Sequence, residues 1–223
     1  MRELIEIIVN RPGFAYDIHS LVKAFFPGKD VSVRVQEAFT KQTRLQMKVD
    51  FTDGLVHTVW LEEGQIKGEG TKEIDYTDRK ETKNHLKRQI YGILSQYTGQ
   101  SLPWGSLTGI RPTKIVMQML EAGKSDTQIE EHMRTVYLTS REKAALSVRI
   151  ANRERHILRD IDYQDGYSLY VGIPFCPSTC LYCSFTSYPL SKWEKQIDMY
   201  LDTLCKELDY VAETFRHKKL NTV

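Results

Sequence analysis

The chain lacks several features that would place it in other classes of protein. It has no uninterrupted apolar run of the length that a membrane-spanning helix needs, and acidic residues interrupt its apolar N-terminal segment, which does not resemble a signal peptide. Its 31 basic and 29 acidic residues leave a net charge of +2, which gives no general reason to expect binding to nucleic acid or to a membrane. Together with a cysteine usage that does not look like a secreted disulfide framework, these absences predict a protein of the reducing cytoplasm.

Cysteine is scarce, and its placement is uneven. Four cysteines occur among 223 residues, which does not resemble the disulfide framework of a small secreted protein. Three of them, Cys176, Cys180 and Cys183, form a C-x-x-x-C-x-x-C cluster directly after an apolar run. The sequence also has no Gly-Gly pair, internal repeat or low-complexity tract. Because the remaining composition is ordinary for a globular protein, the cysteine cluster is its most informative feature.

Residues 1–100 have the pattern of an α+β domain. Four short apolar or alternating runs predict strands, at residues 4–9, 31–35, 45–51 and 55–61. The Asp53-Gly54 pair predicts a tight hairpin turn between the last two strands. Apolar residues at helical spacing predict two helices, over residues 15–26 and 78–97. The glycines at positions 64 to 70, including Gly68 and Gly70, are interpreted as a further turn.

The remaining chain divides into a helical extension (residues 101–160) and a last unit (residues 161–223), with the boundary in the turn-rich residues 160–166. A helix is predicted over residues 112–120. Three capping boxes predict the starts of further helices, at Ser125 with Gln128, Thr139 with Glu142, and Ser191 with Glu194. The last helix carries one apolar stripe as far as Phe215. The apolar run at residues 167–173 predicts a strand that is buried on both faces.

Three thiolates at the observed spacing have two common uses in proteins. They can hold three irons of a [4Fe–4S] cluster and leave the fourth iron open, or they can bind zinc together with a fourth ligand such as Cys205 or a histidine. Spacing alone does not separate these hypotheses. Cys205 is expected to be a buried, inert thiol of the long helix, and no histidine lies near the cluster in the sequence. The cluster also follows a predicted buried strand, where barrel enzymes place their chemistry. Iron–sulfur chemistry is therefore favoured, with a structural zinc knuckle in an interaction protein as the alternative.

The residues around the cluster resemble a known family. The C-x-x-x-C-x-x-C motif with Tyr182 before the last cysteine resembles the signature of radical S-adenosyl-L-methionine (radical SAM) enzymes. The string Tyr170-Val-Gly-Ile-Pro-Phe-Cys176 looks like that of oxygen-independent coproporphyrinogen III oxidases, also called coproporphyrinogen dehydrogenases. The loop Leu107-Thr-Gly-Ile-Arg-Pro-Thr-Lys114, together with Gly172, is similar to their longer branch, which has an extra N-terminal domain.

The resemblance implies a fold and a set of site residues. The expected architecture is an α+β N-terminal domain with a helical extension, followed by the first β/α unit of a truncated radical SAM (β/α) barrel. The expected cluster ligands are Cys176, Cys180 and Cys183. The residues expected near the cofactor S-adenosyl-L-methionine are Tyr170, Tyr182 and Phe185. Since the glycine-rich segment that binds the cofactor's methionine end is missing, the chain is expected to be the N-terminal part of a longer protein.

The resemblance also implies a reaction and its partners. The expected activity is oxidative decarboxylation of coproporphyrinogen III to protoporphyrinogen IX in haem biosynthesis, with a porphyrinogen substrate and an electron donor as partners. Two positions differ from the established oxidases, which have a histidine at Gly172 and a further cysteine at Phe185. Because relatives with phenylalanine at the second position are associated with haem transfer, a haem chaperone without oxidase activity is the alternative.

One further loop carries positive charge. Arg111 and Lys114 flank Pro112 at a predicted helix start and could meet a propionate or another anion, although a solvated helix end is the simpler interpretation.

Overall fold

The apolar runs near the N-terminus fold into a five-stranded mixed sheet, in a computed structural model that describes residues 3–35, 38–39, 43–109, 111–162 and 165–223. In chain order the strands are β1 (Leu4–Val9), β2 (Asp30–Val35), β3 (Leu45–Thr52), β4 (Leu55–Glu62) and β5 (Gln65–Glu73). Their order in the sheet is β2-β1-β3-β4-β5. β1 is parallel to both of its neighbours, whereas β3, β4 and β5 are antiparallel. The predicted hairpin is confirmed as β3 and β4, with Gly54 at a φ of 76° in its turn.

Two helices cover the sheet and complete its core. They are α1 (Ala15–Phe25) and α2 (Arg79–Thr98), both close to their predicted bounds. The paired residues Ile7, Met47 and Trp60 form a row of fully buried side chains across β1, β3 and β4. Burial of each such side chain stabilises a fold by roughly 1.5–3 kcal/mol, so this row is a large part of what holds sheet and helices together.

The predicted turn at residues 64–70 is confirmed only at Gly64, which has a φ of 77°; the rest of this segment belongs to β5. Its glycines serve close packing instead. A Cβ added at Gly68 would lie 2.9 Å from Cγ2 of Ile93, and one at Gly70 would lie 3.0 Å from Nε2 of Gln89. Gly68 and Gly70 are two residues apart and so lie on the same face of β5, the face that meets α2. Because neither has a side chain, the helix can pack close to the strand.

Three further helices form a second buried cluster in the same part of the chain. They are α3 (Thr113–Glu121), α4 (Asp126–Val136) and α5 (Arg141–Leu158), and they enclose buried residues that include Val116, Ile129, Met133 and Val148. The predicted capping box of Ser125 and Gln128 is confirmed at the start of α4. The predicted box at Thr139 is wrong, because the hydroxyl that accepts from the Lys143 N–H is that of Ser140, at 3.1 Å.

The chain divides into two compact units, Met1–Arg155 and His156–Val223. Ile110 in the loop before α3, and residues 163 and 164 in the predicted boundary, lie outside the described residues. The prediction of three parts, at residues 1–100, 101–160 and 161–223, is untested by this division. No helix in the described ranges combines the length and the apolar character that a membrane span requires.

The second unit is a strand–helix–strand arrangement with a short pair of strands beside it. Its elements are β6 (Gly166–Ser168), β7 (Phe175–Cys176), β8 (Tyr188–Pro189), α6 (Leu190–Trp193), α7 (Ile197–Thr214) and β9 (Lys219–Thr222). β6 and β9 pair in parallel, with Tyr167 opposite Leu220. A parallel pair needs a crossover connection, and α7 lies within that connection. The strands described here close no barrel, and the truncated barrel remains a prediction.

Three sequence predictions for this unit are wrong. The run at 167–173 is a strand only as far as Ser168, and Ile173 is 62% exposed rather than buried. The predicted capping box at Ser191 is replaced by the short α6 and a 3-10 turn (Glu194–Gln196), so the long helix begins at Ile197 without a side-chain cap. Cys205 on α7 is exposed, not buried. The apolar stripe does exist, but its residues are half-buried or, as at Trp193 and Leu201, exposed.

Candidate functional site

The three clustered cysteines lie on one loop of the second unit. Cys176 ends β7, and Cys180 and Cys183 follow in the segment before β8; we call this segment, residues 176–187, the cysteine loop. The flanking strands pair in parallel, with Phe175 opposite Tyr188. The Tyr188 N–H also donates a hydrogen bond of 2.7 Å to the Pro174 carbonyl. The loop is therefore closed at its base by backbone pairing.

Aromatic side chains support the base of the loop. The ring of Phe175 lies 5.2 Å from that of Tyr200 in an edge-on arrangement, and the ring of Tyr188 lies 5.3 Å from that of Trp193. Phe175 and Trp193 are 6.5 Å apart, which joins the two pairs into one cluster. These four residues, which we call the basal aromatic cluster, were not predicted as site residues. The sequence did contain one indication of this cluster, because aromatic residues occur on both sides of the loop and near the start of the last helix.

The backbone before the loop is also fixed by α7. The Tyr200 hydroxyl donates a hydrogen bond of 2.6 Å to the Gly172 carbonyl. A Cβ at Gly172 would lie 3.2 Å from Cε1 of Tyr170, so the missing side chain allows the tyrosine ring to lie over the backbone. In the sequence Gly172 was noted as a point of similarity to the longer branch and as a departure from the established oxidases, and the structure shows in addition that it packs against Tyr170.

All three loop thiols are free and reachable. Cys176 and Cys183 are half-buried, Cys180 is exposed, and none forms a disulfide. The Cys183 N–H donates a hydrogen bond of 3.0 Å to the Cys180 carbonyl, which makes a tight turn between these two cysteines. No acidic residue occurs between Asp165 and Glu194, so no carboxylate of this segment repels a thiolate.

The structure does not gather these thiols around a common centre. Across residues 3–35, 38–39, 43–109, 111–162 and 165–223, no group of three or more Cys, His, Asp or Glu side chains is arranged to hold a metal ion. The chemistry of the donors nevertheless suits an iron–sulfur cluster, because free thiols at short spacing are the ligands that such clusters use. Binding would require the side chains of Cys176, Cys180 and Cys183 to turn toward one point.

The three residues predicted to lie near the cofactor are at the surface. Tyr170 is 82% exposed, Tyr182 90% and Phe185 77%. Tyr182 and Phe185 lie on the cysteine loop itself, on either side of Cys183, and Tyr170 lies ahead of the loop. Large exposed aromatic side chains this close in sequence are unusual in a packed protein and often mark a binding surface.

The chain is similar to an oxygen-independent coproporphyrinogen-III oxidase-like protein. That relative is HemZ of Bacillus subtilis (strain 168), to which the chain is 34% identical over 161 residues. The match covers 67% of this chain and 32% of HemZ, so the chain spans about a third of its relative's length. No protein-family model matches the chain, and no solved structure matches it. The similarity supports the coproporphyrinogen oxidase-like family, while the radical SAM class and the extra N-terminal domain remain predictions.

Proposed function

We propose that the chain carries the cluster-binding loop of a radical SAM enzyme that converts coproporphyrinogen III to protoporphyrinogen IX in haem biosynthesis. The observation that carries this proposal is the set of three free thiols, at C-x-x-x-C-x-x-C spacing, on a loop closed at its base. The similarity to HemZ, whose name describes it as oxygen-independent coproporphyrinogen-III oxidase-like, supports the same proposal. The chain would thus form part of a coproporphyrinogen dehydrogenase-like oxidoreductase.

In this proposal each loop residue has a separate role. Cys176, Cys180 and Cys183 hold a [4Fe–4S] cluster, and a cluster with three protein ligands leaves one iron free for S-adenosyl-L-methionine. The exposed rings of Tyr182 and Phe185 pack beside the cluster or the adenine of the cofactor. Tyr170 lies ahead of the loop and adds a further aromatic surface. The basal aromatic cluster and the Tyr200 hydrogen bond fix the chain on which these residues stand.

The bound groups supply the chemistry, and the chain supplies their placement. When bound, the cluster supplies the electron that cleaves S-adenosyl-L-methionine and so starts the abstraction of hydrogen from a substrate propionate. Each of two propionates would then give up one further electron to an electron acceptor, lose carbon dioxide and become a vinyl group. The short, closed loop limits the positions that the three thiols can take. The absence of acidic residues between Asp165 and Glu194 avoids repulsion of the negatively charged thiolates.

A haem chaperone is the second candidate function, favoured by one specific observation. Phe185 stands where the established oxidases of the resembled family have a further cysteine, and its ring is 77% exposed. An exposed aromatic surface beside a three-thiol loop would also suit contact with a flat, apolar haem ring. The two candidates separate by product analysis. The enzyme yields 5′-deoxyadenosine and protoporphyrinogen, whereas the chaperone binds haem and leaves coproporphyrinogen unchanged.

Anaerobic reconstitution of the chain with iron, sulfide and competing zinc tests the proposed cluster. We expect the electron paramagnetic resonance spectrum of a reduced [4Fe–4S] cluster, lost in Cys180→Ala. The matched control is Cys205→Ala, because Cys205 is also an exposed thiol but lies on α7, outside the cysteine loop. It should keep the full spectrum. A shift of the spectrum on addition of S-adenosyl-L-methionine is the further expected result.

Two outcomes of this experiment would contradict the proposal. Stoichiometric zinc without any cluster would assign the cysteine loop to a structural zinc site. Equal loss of the cluster in both variants would show that Cys205 is needed as well, and a cluster with a fourth protein ligand would have no open iron for S-adenosyl-L-methionine.

A further inference from the structure

The lysine on α2 that is most deeply buried has no carboxylate partner. Lys87 is 8% exposed, and its Nζ donates a hydrogen bond of 3.0 Å to Oγ1 of Thr108. Among the described residues no carboxylate forms an ion pair with it; Asp17, the acidic group that acts on it from further away, pairs with Lys83 at 3.9 Å. A buried ammonium group without a counter-ion is costly, since burial removes its hydration. Burial accordingly lowers the pKa of Lys87, an effect that Asp17 only partly offsets.

Thr108 connects this lysine to a cavity. The cavity has a volume of about 380 Å³ and is lined by Trp104, Leu107, Thr108, Gly109 and Pro112. Because Oγ1 of Thr108 accepts the hydrogen bond from Lys87, its hydroxyl hydrogen is left to donate to a further group. None of the five described lining residues is acidic. The Thr108 hydroxyl, whose oxygen already accepts a hydrogen bond from a charged lysine, is therefore a donor on a cavity whose described lining contains no acidic side chain.

Other positive groups lie next to residues that line the cavity. Pro112 is the N-cap of α3, whose first turn contains no acidic residue and whose cap makes no side-chain hydrogen bond. The positive end of the helix dipole is thus uncompensated there. The Nζ of Lys143 lies 5.6 Å from the centre of the Trp104 ring. Arg111 and Lys114, which flank Pro112 in the sequence, are exposed.

The wall of the cavity is built on a firmly held loop. Gly105 has a φ of 57°, and a Cβ there would lie 2.0 Å from the Tyr137 carbonyl oxygen. The backbone N–H of Ser106 donates to that same oxygen at 2.8 Å, and its hydroxyl lies 3.2 Å away. The Ser140 N–H donates to the Pro103 carbonyl at 2.9 Å. A loop fixed in this way keeps its cavity in shape before any ligand arrives.

We propose that this cavity is an oxyanion site, in which the Thr108 hydroxyl contacts a phosphate or carboxylate group and Lys87 supplies the counter-charge through it. Lys87 is then a positioning and electrostatic residue, and Thr108 is the residue that touches the ligand. The indole of Trp104 forms an aromatic wall, so the fitting ligand is an organic anion with a flat ring rather than a bare ion. This proposal rests on the first unit alone and is independent of the cysteine loop.

Isothermal titration calorimetry of the full chain tests the site with three probes. Inorganic phosphate reports the oxyanion alone, adenosine monophosphate adds a flat ring to a phosphate, and coproporphyrin III adds a flat ring to carboxylates. We expect adenosine monophosphate or coproporphyrin III to bind more tightly than inorganic phosphate. Whichever of the two binds more tightly shows whether the site takes a phosphate or a carboxylate. Lys87→Met should weaken that binding by about tenfold or more, as expected for the loss of a charge-assisted interaction.

Two further variants control for a non-specific charge effect and for a failure of Lys87→Met to fold. Lys80→Met removes the same charge from an exposed position on α2 and should leave the binding unchanged. Thr108→Val keeps the shape of a half-buried residue but removes the hydroxyl, and with it the hydrogen bond that Lys87 donates; it should weaken binding even if Lys87→Met fails to fold. The absence of binding by all three probes would overturn the proposal. Equal weakening in Lys80→Met and Lys87→Met would do the same, because it would show a non-specific charge effect.

Discussion

Single glycines determine how closely the backbones of the first unit approach one another. Gly105 combines a positive φ with direct contact against the Tyr137 carbonyl, so both its conformation and its space exclude a side chain. Gly99 ends α2 at a similar φ of 68°, but no neighbouring atom lies within 4 Å of the position that a Cβ would occupy there. An alanine at position 99 would therefore be destabilising only through the positive φ, whereas one at position 105 would be destabilising through the positive φ and through the steric clash with Tyr137.

We expect Gly105→Ala to lower the free energy of unfolding by about 3 kcal/mol or more, and Gly99→Ala by only about 1–2 kcal/mol. The difference arises because the atom that blocks position 105 is backbone and cannot rotate away. Urea denaturation followed by circular dichroism measures both values. Equal destabilisation by the two substitutions would show that the loop at residues 101–109 relaxes freely around Tyr137.

His132 gives the first unit a dependence of stability on pH. Burial, and to a lesser extent the charge of Lys80, lower the pKa of His132 below its ordinary 6.5, against an opposing effect of Glu81. Between the lowered pKa and 6.5 the unfolded chain binds more protons than the folded chain, so this residue makes the folded state more stable as pH rises. Well above pH 6.5 the folded and unfolded chains both lack this proton, so His132 no longer makes the stability depend on pH.

We expect the free energy of unfolding to rise with pH through the window that ends near 6.5, and the rise to be reduced in His132→Phe. Phenylalanine preserves an aromatic ring beside Tyr137, whose ring centre lies 5.6 Å from that of His132. Urea denaturation at a series of pH values measures the slope. An unchanged slope in the variant would assign the dependence to other groups.

At the scale of elements, the contact between β5 and α2 depends on residues that carry no side chain. The Cβ of an alanine at position 68 would meet the branched Cγ2 of Ile93 at 2.9 Å, whereas one at position 70 would meet the flexible amide end of Gln89 at 3.0 Å. A β-branched residue on a helix has little rotamer freedom with which to move aside, and a glutamine has more.

We expect Gly68→Ala to destabilise the first unit by about 1–3 kcal/mol, and Gly70→Ala by less than about 1 kcal/mol. Replacing Ile93 with alanine should remove the clash, so the double variant Gly68→Ala/Ile93→Ala should be more stable than the sum of the two single changes predicts. Thermal and urea unfolding of the four proteins measure this coupling. Strict additivity would mean that β5 and α2 do not pack as described.

Elements with a strong local pattern were predictable from the sequence, and those decided by distant contacts were not. α1, α2 and the hairpin of β3 and β4 follow from apolar spacing and from the Asp53-Gly54 turn. The segment of Gly68 and Gly70 was misinterpreted because a glycine that permits a turn and a glycine that permits close packing look alike in sequence. The box at Thr139 failed because the adjacent Ser140 offers the same hydroxyl one residue later.

The candidate site was predictable in its donors and not in its surroundings. The three cysteines stand out by spacing alone, whereas the basal aromatic cluster depends on how the chain returns through Trp193 and Tyr200. The run at residues 167–173 has the composition of a buried strand. In the described part of the chain it pairs only at its start, so its later residues are exposed.

At the scale of the whole molecule, the two units differ in their cores. Every buried hydrophobic residue of the described chain lies at or before Ala151, in the first unit. The second unit contains half-buried and exposed apolar side chains only, including those of α7. Since burial of apolar surface is the main stabilising contribution to folding, the second unit has much less to oppose local opening.

We therefore expect backbone amides of α7 to exchange with deuterium at least about 100-fold faster than those of α2, because local opening follows the local density of buried contacts. Hydrogen-exchange mass spectrometry of the full chain measures both helices in one experiment. Protection of α7 equal to that of α2 would contradict this view. Anaerobic reconstitution with iron and sulfide should slow exchange in the cysteine loop if its thiols hold a cluster.

The pairing of Tyr188 with Pro174 has a consequence for any ion that the cysteine loop captures. The hydrogen bond and the strand pairing close the loop at its base, so if the three thiols turn toward one ion they would act as one tridentate chelator rather than as three separate ligands. Once one sulfur binds the ion, the other two are held nearby at a high local concentration. Because the short closed loop has little conformational freedom left, their binding would lose little further chain entropy. The chelate effect would then weaken with each lengthening of the loop, by about 0.6 kcal/mol for every doubling of its length.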